Sequence, residues 1–458
     1  MPTSLPILER EDLALFINAA SAATGQTEFY GADRRQRISV AFLHDYVFGN
    51  YRRLYALSLV AGINDYNRAL VVQRLLAAGA PPPPDAERES ALIRRTLADL
   101  PPQRVYRLFR SLRAARVNNR RTRATLRTWL ATRDLTFDAV KYRGLLRSAV
   151  RHARLRVDDD LHAFLFDGPE SRRWTVPLWD AVRRARYEQR AVFELPFTVA
   201  EGFAAHHGIP RRRFLERIAP RMTAAERRRH LDGTDPTTQI GILATAPLTT
   251  ACRALLARPI AERDTTWRTA LEEAARRLPD PGLPRRVRAV LDNSYSSRGG
   301  ARKRNHPLAT ALSVHLALSS HCEDYRGFWT HPTPDPFTVR PRGPTRLADP
   351  LLDALDDAPG LLIVVSDGYE NDPVGAAGEV VRLFRTHVDP HGQTAIVHLN
   401  PVFDATAFMP RALGPSVPTV GIRDASELQV KLAFARFTHG DLPLSALEAW
   451  LEDRWNAR

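Results

Sequence analysis

Apolar positions in residues 1–280 recur every three or four residues, the spacing that puts them on one face of a helix, and strict alternation is rare. "RISVAFLHDYVFGNYRRLYALSLVAGI" reads as one or two amphipathic helices, and "NRALVVQRLLAAG" reads as a helix stopped by glycine. "APPPPDAERES" is a stiff connector into a new helix. Further helices are expected in "PPQRVYRLFRSLRAARV", "NNRRTRATLRTWLAT", "TFDAVKYRGLLRSAVRHARL", "PLWDAVRRARYEQRAV" and "DTTWRTALEEAARRL". Short helices joined by short turns suggest stacked pairs, although no fixed sequence period runs through them. At "RRLPDPGLPRRVRAVL" the rhythm changes. Short apolar runs such as "VRAVLD", "GLLIVVSDG" and "TAIVHLNP" now alternate with helical segments, the β-α pattern of a parallel sheet covered on both faces. "LLIVV" has no polar member, as a central strand requires. The expected fold is an all-α helical-repeat domain over residues 1–280, followed by a doubly wound, mostly parallel α/β sheet over 285–458.

Composition alters this picture in one respect. Of 458 residues, 66 are Lys or Arg and 51 Asp or Glu, and only Lys141, Lys303 and Lys431 are lysine. Residues 285–458 hold 19 basic against 20 acidic side chains, whereas residues 1–284 hold 47 against 31. A compositional preference for arginine would affect both parts alike, so the positive field of the first part points to a polyanionic partner. The two cysteines, Cys252 and Cys322, cannot make a disulfide framework and lack zinc-type spacing. With no apolar stretch of membrane length and no basic-then-apolar leader, a cytoplasmic protein is expected.

The chemistry lies in "VLDNSYSSRGG". In a parallel sheet, ligands bind beyond the carboxyl ends of the strands, where the strand order reverses. Asp292 ends one apolar run and Asp367 another, and two such carboxylates repel unless a cation lies between them. Ser294 and Ser296 add hydroxyls on the first loop, and Thr345 adds a third in "RGPTRLADPL". An oxygen-only set of this kind suits Mg²⁺ or another hard divalent cation, and zinc would want His or Cys. Each fragment alone also serves as a helix cap or a turn.

Asp292-x-Ser294-x-Ser296, then Thr345, then Asp367 before glycine resembles the metal-ion-dependent adhesion site of von Willebrand factor type A domains. The resemblance covers about residues 285–440. It implies that the hydroxyls bind the metal directly, that the aspartates bind it directly or through water, and that one position stays open for a partner's carboxylate. The chain departs from that family at Asn293, Tyr295 and Ser297, and in the long basic loop "SRGGARKRNHP". A basic helical part followed by such a domain is similar to the TROVE-containing Ro autoantigen family. That likeness implies small noncoding or misfolded RNA as partner, held by a ring of helical repeats.

Candidate RNA contacts follow helical spacing. Arg143, Arg147, Arg151 and Arg154 are set along one face with Lys141 close by, and Arg120, Arg123 and Arg127 cluster upstream beside Trp129. Arg211–Arg213 and Arg227–Arg229 form two further basic runs. No phosphate-binding glycine loop, dinucleotide fingerprint, nucleophile elbow or H-E-x-x-H motif occurs, so binding is expected and catalysis is not. Two readings stand: an RNA-binding scaffold with a Mg²⁺-dependent ligand site, or a Mg²⁺-dependent adaptor that captures an acidic residue of a protein partner. A metal-dependent hydrolase is a distant third.

Overall fold

The computed structural model describes residues 5–26, 33–230, 241, 243–406, 408–438 and 442–457. The chain opens with helices α1 (Leu5–Ala22), α2 (Asp33–Asn50) and α3 (Arg52–Leu57), and the long apolar stretch breaks at Tyr51, whose φ of −137° is not helical. α4 (Asp65–Ala77) ends at a left-handed Gly79, and the proline run delivers the chain to α5 (Asp85–Asp99). Then come α6 (Pro102–Ala114), α7 (Arg120–Ala131), α8 (Leu135–Lys141), α9 (Arg143–Ala153), α10 (Asp159–Phe166), α11 (Pro177–Arg184), α12 (Phe197–His206), α13 (Arg211–Ile218) and α14 (Ala224–Arg229). Residues 136–155, expected as one helix, form two, because Tyr142 leaves helical geometry at φ −127°, ψ 27°.

By packing, the chain divides into two compact units, Met1–Arg68 with Leu243–Arg458, and Ala69–Ile242. The change of rhythm at 280–285 marks where strands begin, and compactness divides the chain elsewhere.

The unit formed by Ala69–Ile242 is helical throughout its described residues. α6 and α9 run side by side, with the rings of Tyr106 and Tyr142 5.6 Å apart and those of Phe109 and His152 6.4 Å apart. Beneath them, buried Asp138 takes two hydrogen bonds from Arg133, at 2.9 and 3.0 Å, and one from Tyr106 at 2.8 Å. Both oxygens of that buried carboxylate are therefore met by donors, which offsets the cost of burying it.

The other unit is built on a five-stranded, wholly parallel sheet. After α15 (Leu248–Leu256) and α16 (Thr265–Arg276) come β1 (Arg286–Leu291), α17 (His306–His321), β2 (Asp324–Trp329), α18 (Ala348–Asp356), β3 (Leu361–Val365), α19 (Ala376–His387), β4 (Ala395–Asn400), β5 (Thr419–Gly421), α20 (Leu428–Ala435) and α21 (Leu444–Asn456). The spatial order is β2-β1-β3-β4-β5, so the chain reverses direction across the sheet between β1 and β3. Val290, Leu362, Val364 and Ile396 pack there with Leu347 and Leu351 of the α18 region and Val381 of α19.

Helix α1 packs against the edge of this sheet. The Asn18 amide of α1 donates to Thr419 O at 2.7 Å and accepts from Gly421 N, taking up the free edge of β5. A side chain at 421 would meet Asn18 O at 2.7 Å, so only glycine allows this approach. Lys431 of α20 is 1% exposed and its ammonium donates to Ser21 Oγ at 2.6 Å and Gly62 O at 3.0 Å. Among the described residues no helix is long and apolar enough to cross a membrane.

Candidate metal crevice and basic helical face

Asp292 follows β1 and Asp367 stands two residues after β3, so both lie at the carboxyl ends of the two strands that flank the reversal. Buried apolar strands fix both backbones, and local hydrogen bonds then aim the side chains. Asp292 Oδ1 accepts Ser294 N at 2.7 Å and Thr330 Oγ1 at 3.4 Å, and its Oδ2 accepts Ser366 Oγ at 3.2 Å. The Ser294 hydroxyl lies 3.1 Å from Ser296 Oγ and 2.9 Å from Thr345 Oγ1. Thr345 is itself held by Asn371, whose Oδ1 accepts its N–H at 2.8 Å. All five residues singled out from the sequence therefore meet, none more than 7% exposed.

Burial drives both carboxyls toward protonation. Asp367, which also feels the Asp292 charge, is pushed from 3.8 up to about 7, and Asp292 is raised by burial against the pull of its hydroxyl and backbone donors. Asp367 Oδ1 accepts Tyr369 N at 3.0 Å, but Oδ2 is buried with no hydrogen-bond partner. A buried carboxylate oxygen without a donor is costly, and here it faces a second carboxylate. Among the described residues no three His, Cys, Asp or Glu side chains gather as a metal-binding group. The crevice instead combines two carboxylates with three hydroxyls, an oxygen-only set that fits a hard divalent cation.

Spacing did not reveal Thr330 and Ser366, which support Asp292, or Glu370, whose carboxylate accepts Leu347 N at 3.1 Å and Ala377 N at 2.7 Å. Thr330 is distant in sequence from its partner, but Ser366 in "SDG" was visible as a neighbour of Asp367. At 368 the left-handed φ of +77°, with Arg411 O 2.6 Å from where a Cβ would be, explains the glycine. His398 on β4 is engaged at both ring nitrogens, by Ser366 O at 3.0 Å and Thr419 Oγ1 at 3.2 Å, and burial pushes it down to about 4. Cys252 is buried, whereas Cys322 is only partly so.

The candidate RNA contacts do not form one continuous row. Lys141 pairs with Glu226 at 3.2 Å. Arg143 donates to the carbonyls of Phe164 and Leu165, both at 3.1 Å, and Arg127 to those of Ala153 and Arg154, at 2.8 and 3.2 Å, so each caps the end of a helix. Arg123 turns back to Asn118. Arg154 has a left-handed φ of +50° and leaves the helical face. Arg120, Arg147, Arg151 and Arg154 are exposed, with Arg151 stacked 4.8 Å from the centre of the Phe166 ring. The side chains of Arg228 and Arg229 lie outside the described residues.

A second exposed row lies on α6. Arg107, Arg110 and Arg113 are exposed, and Arg113 reaches Ser148 Oγ of α9 at 3.2 Å. The signal was the repeated spacing of three in "RVYRLFRSLR", which puts arginine on the solvent side of a strongly amphipathic helix. Ala69–Ile242 contains 34 Lys and Arg against 19 Asp and Glu, while the rest of the chain contains 32 of each. The whole formal charge of +15 thus belongs to one unit.

Fold and site together define a class: a basic all-helical unit joined in one chain to a parallel α/β sheet with a carboxylate-and-hydroxyl crevice at its strand reversal. No family model matches the chain, and no curated protein matches it. Among solved structures it is similar in fold to the Deinococcus radiodurans RO (RSR) protein, with a TM-score of 0.56 and 17% identity, covering 95% of this chain and 100% of that one.

Proposed function

We propose that this chain is a non-catalytic, Ro-type RNA-binding scaffold whose sheet carries a Mg²⁺-dependent ligand site. The observation that carries this reading is the confinement of the entire net charge to Ala69–Ile242, where the arginines of α6 and α9 stand exposed on adjoining helices. Such a face neutralises backbone phosphates and releases counterions, and arginine planes and aromatic rings stack on unpaired bases. Small noncoding or misfolded RNA suits it, because single strands and irregular loops expose both phosphates and base faces. Likeness in fold to the Deinococcus protein supports the same class.

Asp292, Ser294, Ser296, Thr345 and Asp367 would hold the cation, and Mg²⁺ bound there would offer an open position to a carboxylate or phosphate oxygen. The orphaned Asp367 oxygen favours a bound cation, and a second reading gives that cation's open position to an acidic side chain of a protein partner, making the chain an adaptor. A scaffold rather than a hydrolase fits the engagement of both His398 nitrogens, which leaves that ring no free site for proton transfer.

The test is the nucleic acid that accompanies the full chain at low salt, extracted and sequenced, with binding then titrated against salt. Discrete small RNAs and a steep salt dependence are the expected result. A clean protein whose RNA binding ignores salt rejects the scaffold, and EDTA-sensitive capture of an acidic partner then supports the adaptor.

A further inference from the structure

Helices α18 and α19 pack against each other on the sheet and carry more apolar surface than it takes up. Leu351, Ala354 and Leu355 of α18 and Ala377 and Val381 of α19 are buried in the core with Val364 and Ile396. Beyond that stripe, Leu352 and Leu383 are 55% and 41% exposed, and Val388, just past the end of α19, is 71% exposed. Leu355, Val380 and Phe384 lie between the helices, and with the three exposed side chains they line an open apolar groove of about 640 Å³. A single exposed leucine needs no explanation, but a contiguous apolar patch with a polar rim marks a contact surface.

The rim is acidic along α18. Asp349, Asp353 and Asp356 are exposed there, at spacings of four and three that put them on one face beside Leu352. Among the described residues none of the three carboxylates forms an ion pair or a hydrogen bond. Asp353 and Asp356 fall in the last turn of α18, which holds no basic residue, and at that end the helix dipole favours a cation. The arginines of α19 are occupied elsewhere. Arg382 pairs with Glu379 at 2.6 Å, and Arg385 pairs with Asp389 and donates to Thr394 O at 2.7 Å.

A groove between two helices offers no strand edge for main-chain pairing, but its side-chain ridges suit a third helix. Unpaired carboxylates along it repel the phosphates of a nucleic acid or an anionic membrane. Lysine and arginine suit it, since their stems cover apolar surface while their charged ends reach the acids.

We propose that the groove between α18 and α19 docks an amphipathic helix of a partner protein, with its apolar stripe on Leu352, Leu383 and Val388 and its lysines or arginines on Asp349, Asp353 and Asp356. The two helices are nine and twelve residues long, which sets the docked segment at about three turns. This surface rests on neither the metal nor the RNA reading.

The experiment is fluorescence anisotropy of a labelled synthetic peptide titrated with the full chain, first washed free of nucleic acid at high salt. The peptide is about fourteen residues of Leu, Lys and Ala, with leucine at helical spacing and lysine on one flank. A second peptide has the same composition in scrambled order. Saturable binding of the first peptide alone is expected, weakened roughly tenfold or more by Leu352→Gln with Leu383→Gln, and several-fold by Asp353→Asn with Asp356→Asn. These side chains are exposed, so the variants keep the fold, which circular dichroism checks. Asp453→Asn, which removes an exposed acid from α21, is expected to leave binding unchanged. No saturable binding by the wild-type chain, equal binding of the scrambled peptide, or equal affinity in the groove variants overturns the proposal. Sedimentation of the wild-type chain as a dimer that the Leu352 and Leu383 changes split into monomers also overturns it, because the occupant is then a second copy.

Discussion

The two units handle charge in opposite ways. In the sheet unit, acid and base balance, and the ionisable groups that matter most are buried: Asp292, Asp367, His306 and Lys431 each meet a specific environment. In the helical unit the excess arginines divide. Some, such as Arg133, Arg143 and Arg127, cap helices or hold a buried carboxylate, and others, such as Arg110 and Arg147, simply face water. Arginine spacing alone therefore does not separate scaffold from contact, because a guanidinium serves a helix end as readily as a phosphate.

The sharpest way to break this contrast is charge reversal on the exposed rows. Arg110, Arg147 and Arg151 changed together to Glu are expected to weaken RNA binding by about a thousandfold at low salt and to flatten its salt dependence, read by filter binding across a salt series. Unaltered affinity would place the RNA elsewhere or nowhere.

Next in size is the carboxylate crevice. Saturating Mg²⁺, at about a hundred times its dissociation constant, should stabilise the chain by about 2.7 kcal/mol, and Asp292→Ala should abolish the gain, read by denaturant unfolding with and without EDTA. In EDTA the sign of the pH effect is also fixed. Asp367 titrates higher in the folded chain than in the unfolded one, so its contribution is favourable at low pH and is lost as pH rises from 3.8 through about 7. The stability difference between wild type and Asp367→Asn should follow that window and shrink when Mg²⁺ is present.

Asn18→Ala should cost about 2 kcal/mol, since it leaves Thr419 O and Gly421 N at the β5 edge without partners, and should be measured by urea unfolding. The smallest effect belongs to Arg212→Ala, an exposed ion pair with Glu216 in the basic unit. It should move the melting temperature by no more than about 1 °C, as expected where surface charge serves binding and not stability.

Much was legible beforehand because it is local. The three-to-four rhythm yields the helices, "LLIVV" yields a central strand, and the strand-end aspartates with their hydroxyls mark a crevice at the sheet reversal. The break at Tyr51, after Gly49 and Asn50, was left open as one helix or two, whereas the break at Tyr142 was not legible, since tyrosine is not a strong breaker. Placement of α1 at the sheet edge was equally hidden. It depends on Asn18 meeting β5 and Lys431 meeting Ser21, pairs separated by about 400 positions that no periodicity connects.

By itself, then, the sequence determined the order of elements, the sign and rough location of the charge, and which carboxylates and hydroxyls meet at the strand ends, because periodicity, composition and strand-end position are properties of a linear chain. Tertiary structure alone decided which arginines are occupied by carbonyls and which remain exposed, and that Lys303 and His306 point inward while Arg302 and Arg304 point outward. Those choices depend on which acceptors the folded chain brings within about 3 Å of a donor, a quantity that exists only in three dimensions.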